Sequence, residues 1–112
     1  MDRPVASAEA LGGYKSISAQ LALAPGATEG TMMGMPTLYL GGKAFAGLFG
    51  DAMVFKLEGA MHGVALDLPG AALFDPSGMG RPMKAWVRVP LEQASQWAIL
   101  AASAAEGIGN AS

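Results

Sequence analysis

The spacing of apolar residues along the chain predicts three helices. From Ala8 to Leu23 apolar side chains recur at three- and four-residue intervals, which predicts a helix with a firm part beginning near Gly13. A shorter amphipathic pattern from Gly59 to Leu68 predicts a second helix. The run from Leu91 to Gly107 predicts a third, with Pro90 in its first turn, where a proline needs no hydrogen-bond donor.

Between these helices, short β-branched and aromatic runs predict five strands. The pairs Gly41-Gly42 and Gly50-Asp51 suit two-residue hairpin turns, because glycine accepts the positive φ angles that such turns require. Pro36 makes the first run either an edge strand or a bent one. The strands are TMMGMPTLYL, KAFAGLF, MVFKLE, AALF and MKAWVRV. The order α-β-β-β-α-β-β-α predicts a two-layer α+β fold, with helices on one side of an antiparallel sheet.

Composition narrows the class of protein further. The 112 residues are 52% hydrophobic and only 14% charged, which is typical of one globular domain over 1–112, with loose ends at about 1–8 and 108–112. The absence of cysteine excludes disulfides and thiol chemistry. No stretch approaches the ~20 apolar residues of a membrane span, so we expect a cytoplasmic protein with no membrane contact. The net charge of −2 disfavours non-specific binding to duplex DNA.

Metal and cofactor chemistry find little support in the residue types. The single histidine, His62, lies one helical turn from Glu58, but a stable zinc site needs three or four ligands. We therefore predict a helix-surface pair and no metal. The eight methionines are interpreted as core filling rather than as thioether ligands. No cofactor and no catalytic residue is predicted, and an enzymatic role is disfavoured without being excluded.

The last strand carries the most informative alternation. Lys84, Trp86 and Arg88 share one face, so two cations flank a tryptophan on the side that we expect the helices to leave open. Lys56 has the parity to lie on the same side, and Arg81 comes from the preceding loop. These five residues are the candidate binding residues.

The strand runs also resemble a known family. The segment EGTMMGMPTLYLGGKAFAGLFGDAMVFKL, followed by LFDPSGMGRPMKAWVRVP and a helix with Trp97, is similar to the N-terminal domain of the TfoX/Sxy competence regulators. The similarity covers about Gly13 to Glu106. It implies the same α-β-β-β-α-β-β-α order and a five-stranded sheet covered by helices on one side. It also implies a regulatory, non-enzymatic role for a stand-alone relative, and the family supplies no agreed catalytic residues.

Three functions remain open from the sequence. The first is a non-enzymatic interaction module that self-associates or binds a protein partner through the open face, since aromatic anchors favour protein interfaces. The second is a protein or enzyme that binds a small anionic ligand between this face and the loop 75–82, using Arg81 and Lys84, with Asp75 or His62 converging there. The third, which is not favoured, is nucleic-acid binding by a continuous patch of Lys56, Arg81, Lys84 and Arg88.

Overall fold

In a computed structural model, the protein is described over residues 7–21, 26–32, 35–75, 80 and 83–110. The helices are α1 (Ala8–Leu21), α2 (Gly59–Leu66) and α3 (Trp97–Asn110), and a short 3-10 segment, Leu91–Gln96, leads into α3. The strands are β1 (Ala27–Met32), β2 (Met35–Leu40), β3 (Lys43–Phe49), β4 (Ala52–Lys56), β5 (Ala72–Phe74) and β6 (Met83–Pro90). The predicted α+β class is confirmed.

The strands form one antiparallel sheet in the order β1-β2-β3-β4-β6-β5, with six strands in place of the five expected. The difference arises at the first predicted run, TMMGMPTLYL. This run joins the end of β1 to the whole of β2 in a single strand and omits residues 27–30, where β1 begins. Ala27–Met32 pairs with Met35–Leu40 from Ala27↔Leu40 to Met32↔Met35. Alanine, glutamate and glycine occur in β1, and all three are depleted in strands, so local pattern did not reveal it.

Both predicted hairpin turns are confirmed. Gly41 and Gly42 have φ angles of +59° and +82° and connect the Leu40↔Lys43 pair. Gly50, at φ +63°, opens the turn between β3 and β4. These positive φ angles are costly for residues with a Cβ atom, so the glycines set the register of three consecutive strands.

The helix α1 begins at Ala8, five residues before the predicted firm start. The side chain of Ser7 explains the early start, because its Oγ accepts a hydrogen bond from the Ala10 amide at 3.2 Å. The Asp51 carboxylate, in the turn between β3 and β4, also accepts a hydrogen bond from the Ser7 amide at 2.6 Å. A tertiary contact therefore fixes the first turn of the helix.

The predicted third helix is corrected at both ends. Pro90 is the last residue of β6 and precedes the 3-10 segment, so it does not lie in the first turn of an α-helix. At the other end, α3 continues through Gly107 to Asn110, into the tail that was expected to be loose. The termini 1–6 and 111–112 lie outside the described residues.

The main core lies between the sheet and the helices. Trp97 is 1% exposed, and its indole Nε1 donates a hydrogen bond to the Val89 carbonyl at 3.2 Å. Its ring also explains Gly13, since a Cβ atom there would lie 3.0 Å from the Trp97 ring. In β3, the register passes from Ala46 to Ala44, so Phe45 is the extra residue of a bulge. Phe45 and Ala46 both join the main core.

The other face of the sheet is concave and filled by its own side chains. Phe49 in β3 and Phe74 in β5 have ring centroids 5.0 Å apart, although β4 and β6 lie between their strands. The sheet must curl to bring them together, because three strand spacings in a flat sheet span about 14 Å. A second apolar cluster occupies this concave face: Met35, Val54, Phe74 and Trp86.

A glycine makes close packing on the concave face feasible. A Cβ atom at Gly47 would lie 2.9 Å from the Met35 methyl group and 3.2 Å from the Pro36 carbonyl oxygen. Both distances are shorter than an ordinary van der Waals contact. The absence of a side chain at position 47 therefore leaves room for the end of the Met35 side chain and for the Pro36 carbonyl group.

Candidate interaction surface

Trp86 does not form an exposed anchor. The residue is 6% exposed and packs in the concave cluster, so the expectation of a bare sheet face around this tryptophan is wrong. The alternation itself is correct, since Trp86 lies on the face opposite the main core. The curl of the sheet, which strand parity cannot reveal, removes its ring from water.

Three cations nevertheless surround this tryptophan, as the alternation predicts. Lys56 is the direct cross-strand partner of Trp86, so their side chains share a face at a Cα separation of about 5 Å. Lys84 and Arg88 lie two residues before and after Trp86, roughly 13 Å apart along the strand. Each is therefore a diagonal neighbour of Lys56, at about 7–8 Å. We call Lys56, Lys84 and Arg88 the cationic patch.

The cationic patch differs in charge from the protein as a whole. In the described part of the chain there are five lysine and arginine residues, and three of them belong to this patch. The complete chain has a net charge of −2. Lys84 is exposed, whereas Lys56 and Arg88 are half-buried. Like charges repel each other at these separations, so this grouping carries a small electrostatic cost in the isolated protein.

A groove adjoins the Arg88 end of the patch. Its volume is about 400 Å³, and its lining includes Phe49, Arg88 and two carboxylates, Asp51 and Glu92. These carboxylates offset the charge of Arg88. The other end of the patch also has a carboxylate nearby, because the exposed Glu58 follows Leu57 in extended conformation and comes opposite Lys84.

Helix α2 supports this end of the patch from the opposite side. The His62 side chain forms a hydrogen bond through Nε2 to the Lys84 carbonyl oxygen at 2.8 Å. The Leu57 amide donates to the Ala85 carbonyl oxygen at 2.9 Å, which continues the pairing of β4 and β6. His62 thus contributes to the position of Lys84 rather than to a converging set of ligand groups. Within the described residues, no cluster of three or more histidine and carboxylate side chains is placed to hold a metal ion.

The loop proposed for anion binding is only partly described. Arg81 lies outside the described residues, as do positions 76–79 and 82. Asp75 accepts a hydrogen bond from the Gly80 amide at 2.9 Å, so this carboxylate closes the loop across five residues. Of the residues on which the second function depends, the structure therefore describes Lys84, Asp75 and His62 but not Arg81.

A second polar site lies on the helix-covered face, at the opposite edge of the sheet. A pocket of about 110 Å³ opens between α1 and β1; its lining includes Ser18, Glu29, Leu38 and Phe45. We call it the edge pocket. Leu38 and Phe45, which are 3% and 1% exposed, give it an apolar floor, while Ser18 and the exposed Glu29 are polar.

Tyr14 lies buried beside Glu29. Its side chain is 1% exposed, and its hydroxyl has no hydrogen-bond partner in the described part of the molecule. Burial, and secondly the nearby Glu29 carboxylate, raise the pKa of the Tyr14 phenol. The two groups approach each other without the geometry of a hydrogen bond, so their contact is electrostatic. No pattern in the sequence indicated this pair, because β1 was not predicted.

Comparison with known proteins does not assign the chain to a family. No protein-family model matches the sequence, and neither a curated protein nor a solved structure matches it. The similarity to the TfoX/Sxy regulators therefore stays an expectation from the residues quoted above. Across the described residues, none of the helices combines the length and the apolar character needed to cross a membrane.

Proposed function

We propose that this protein is a non-enzymatic interaction module, related to the TfoX N-terminal domain, whose cationic patch binds an acidic segment of a partner protein in a regulatory role. The observation that carries the proposal is the grouping of Lys56, Lys84 and Arg88 on one face of an acidic protein. An acidic partner removes the repulsion among these cations. Lys84 is the most exposed of the three cations, so we expect this residue to contribute most to binding.

The burial of Trp86, which lies between the cations, favours a protein partner over nucleic acid. Single-stranded nucleic acid binds largely by stacking its bases on exposed aromatic rings. Trp86, the aromatic residue within the patch, is 6% exposed and packed in the concave cluster. Carboxylates on an acidic segment need no such ring, because charge-assisted hydrogen bonds to lysine and arginine suffice.

The test compares two charge reversals that change the net charge equally. Lys84→Glu alters the patch, while Lys15→Glu alters an exposed lysine on α1, away from it. The probes are a fluorescein-labelled peptide of glutamate and leucine, its glutamine counterpart, and an oligothymidine of equal charge. Binding is measured by fluorescence anisotropy at low ionic strength, since salt screens such contacts. Circular dichroism confirms that both variants are folded.

The proposal predicts that Lys84→Glu weakens binding of the glutamate peptide about tenfold, because one attractive contact is lost and a repulsive one is gained. Lys15→Glu should retain wild-type affinity within about twofold. Equal losses in the two variants would show that only net charge matters, and tighter binding of the oligothymidine would favour nucleic acid. Light scattering on the same samples reports self-association; a dimer dissociated by Lys84→Glu would identify a second copy as the partner instead.

A further inference from the structure

The edge strand β1 has a defined set of backbone groups that do not bond to β2. The Gly41 amide donates to the Gly26 carbonyl oxygen at 3.2 Å, which makes this pair hydrogen-bonded in the ladder between β1 and β2. Hydrogen-bonded and non-hydrogen-bonded pairs alternate in an antiparallel ladder. Ala27, Glu29 and Thr31 therefore direct their N–H and C=O groups away from β2, to the side on which no strand of the described residues pairs with β1.

Two observations agree with this assignment. Pro36 is the partner of Thr31, and the alternation requires no hydrogen bond to β1 at this position. This agrees with the lack of an N–H group in proline. The Tyr39 hydroxyl donates to the Thr31 carbonyl oxygen at 2.8 Å, so this carbonyl is not used by the ladder. The Tyr39 ring reaches it by crossing Gly30, where a Cβ atom would lie 3.1 Å from the ring.

The edge of β1 has few of the features that prevent strand addition. Within Ala27–Met32 there is no proline, no lysine and no bulge in the register with β2. The single charge is Glu29, which is exposed and belongs to an outward-directed position. The outward N–H and C=O groups of Ala27, Glu29 and Thr31 are complementary to the backbone of an extended chain.

The edge pocket lies beside the same residue. Glu29 is the cross-strand partner of Leu38, so its side chain shares the helix-covered face, where the pocket has its apolar floor. A residue added opposite Glu29 in a hydrogen-bonded pair would also direct its side chain to that face, at a Cα distance of about 5.5 Å. The side chain that fits combines an apolar stem with a cationic end, as lysine and arginine do.

We propose that β1 is a docking edge for an extended segment of a partner protein that adds to the sheet and places a lysine or arginine opposite Glu29. The segment forms main-chain hydrogen bonds to Ala27, Glu29 and Thr31. Its basic side chain lies over the edge pocket, with the cation at the Glu29 carboxylate. This edge is separate from the cationic patch, and its chemistry is the opposite, so the two proposals are tested independently.

The test uses a short blocked peptide of alternating threonine and valine with one central lysine. Matched peptides carry glutamine or glutamate at the centre, and a further one carries N-methylated valines, which cannot complete the ladder. Binding to the wild-type protein is followed by amide chemical shifts and hydrogen exchange. We expect the amides of Ala27, Glu29 and Thr31 to shift and become protected. The lysine peptide should bind about two- to fivefold more tightly than the glutamine peptide.

Two variants assign the contacts. Glu29→Gln should remove the preference for lysine, whereas Glu106→Gln, at an exposed carboxylate on α3, should leave it unchanged. Thr31→Pro deletes an outward N–H that the fold does not use, so binding should be lost while the fold persists. If Thr31→Pro does not fold, the N-methylated peptide gives the same test on the wild-type protein.

Three outcomes would overturn the proposal. In the first, the lysine, glutamine and glutamate peptides bind equally, and Glu29 has no role in selection. In the second, the lysine peptide at millimolar concentration leaves the three amides unshifted and unprotected. In the third, these amides are already protected without peptide in a concentration-dependent manner, which would show that a second copy of the chain occupies the edge.

Discussion

Replacement of Trp86 by alanine tests the concave packing of the sheet. The ring is 6% exposed and contacts the cluster that includes Met35, Val54 and Phe74. Burial of a tryptophan removes roughly 150–250 Å² from water. At about 25 cal/mol per Å², this corresponds to roughly 4–6 kcal/mol as an upper limit. Measured truncations of buried aromatic residues cost about 3–5 kcal/mol, and we expect Trp86→Ala to fall in this range.

The assay is urea unfolding followed by far-ultraviolet circular dichroism, with Ile99→Ala as the matched control. Ile99 is a large apolar residue on α3 that is 60% exposed, so its truncation should change the free energy of unfolding by no more than about 0.5 kcal/mol. Since small domains have about 5–15 kcal/mol of stability, the Trp86→Ala protein should be severely weakened. A loss below about 1 kcal/mol would refute the curled sheet and restore the flat, open face that strand parity suggests.

Three further substitutions test local packing and the buried phenol. Gly47→Ala should destabilise the protein by about 1 kcal/mol, because its Cβ would lie 3.2 Å from the Pro36 backbone carbonyl oxygen, which has less freedom to move than the end of the Met35 side chain. Gly107→Ala, inside α3 with nothing within 4 Å of the new Cβ, should stabilise the protein by up to about 1 kcal/mol. Thermal melts of both variants measure these changes. A melting temperature that shifts in the same direction in both would contradict the close packing at Gly47. The raised pKa of Tyr14 favours the neutral phenol in the folded state, so its ionisation leaves stability unaffected below pH ~10 and lowers stability above it, where the unfolded chain ionises first. Alkaline unfolding of Tyr14→Phe should therefore begin at higher pH than in the wild type. The stability of this variant at neutral pH should be unchanged or higher, since the lost hydroxyl has no hydrogen-bond partner in the described residues.

The sequence determined those features that depend on neighbouring residues. Gly41-Gly42 and Gly50 set two hairpin turns, because their positive φ angles are accessible to glycine at little cost. Strand alternation placed Val87 and Val89 in the main core and Trp86 on the other face. From these rules the α+β class followed, as did the grouping of cations around Trp86, since a period of two fixes which side chains share a face.

Tertiary structure decided what depends on residues distant in the chain. The exposure of Trp86 depends on a curl that brings Phe49 and Phe74 together across two intervening strands. The strand β1 exists because β2 pairs with it, although its own residues have low strand propensity. Tyr14 and Glu29 meet only after α1 packs on that strand. Periodicity is a local property of the chain, whereas curvature, edge pairing and the approach of side chains from different elements are set by how all the elements pack together.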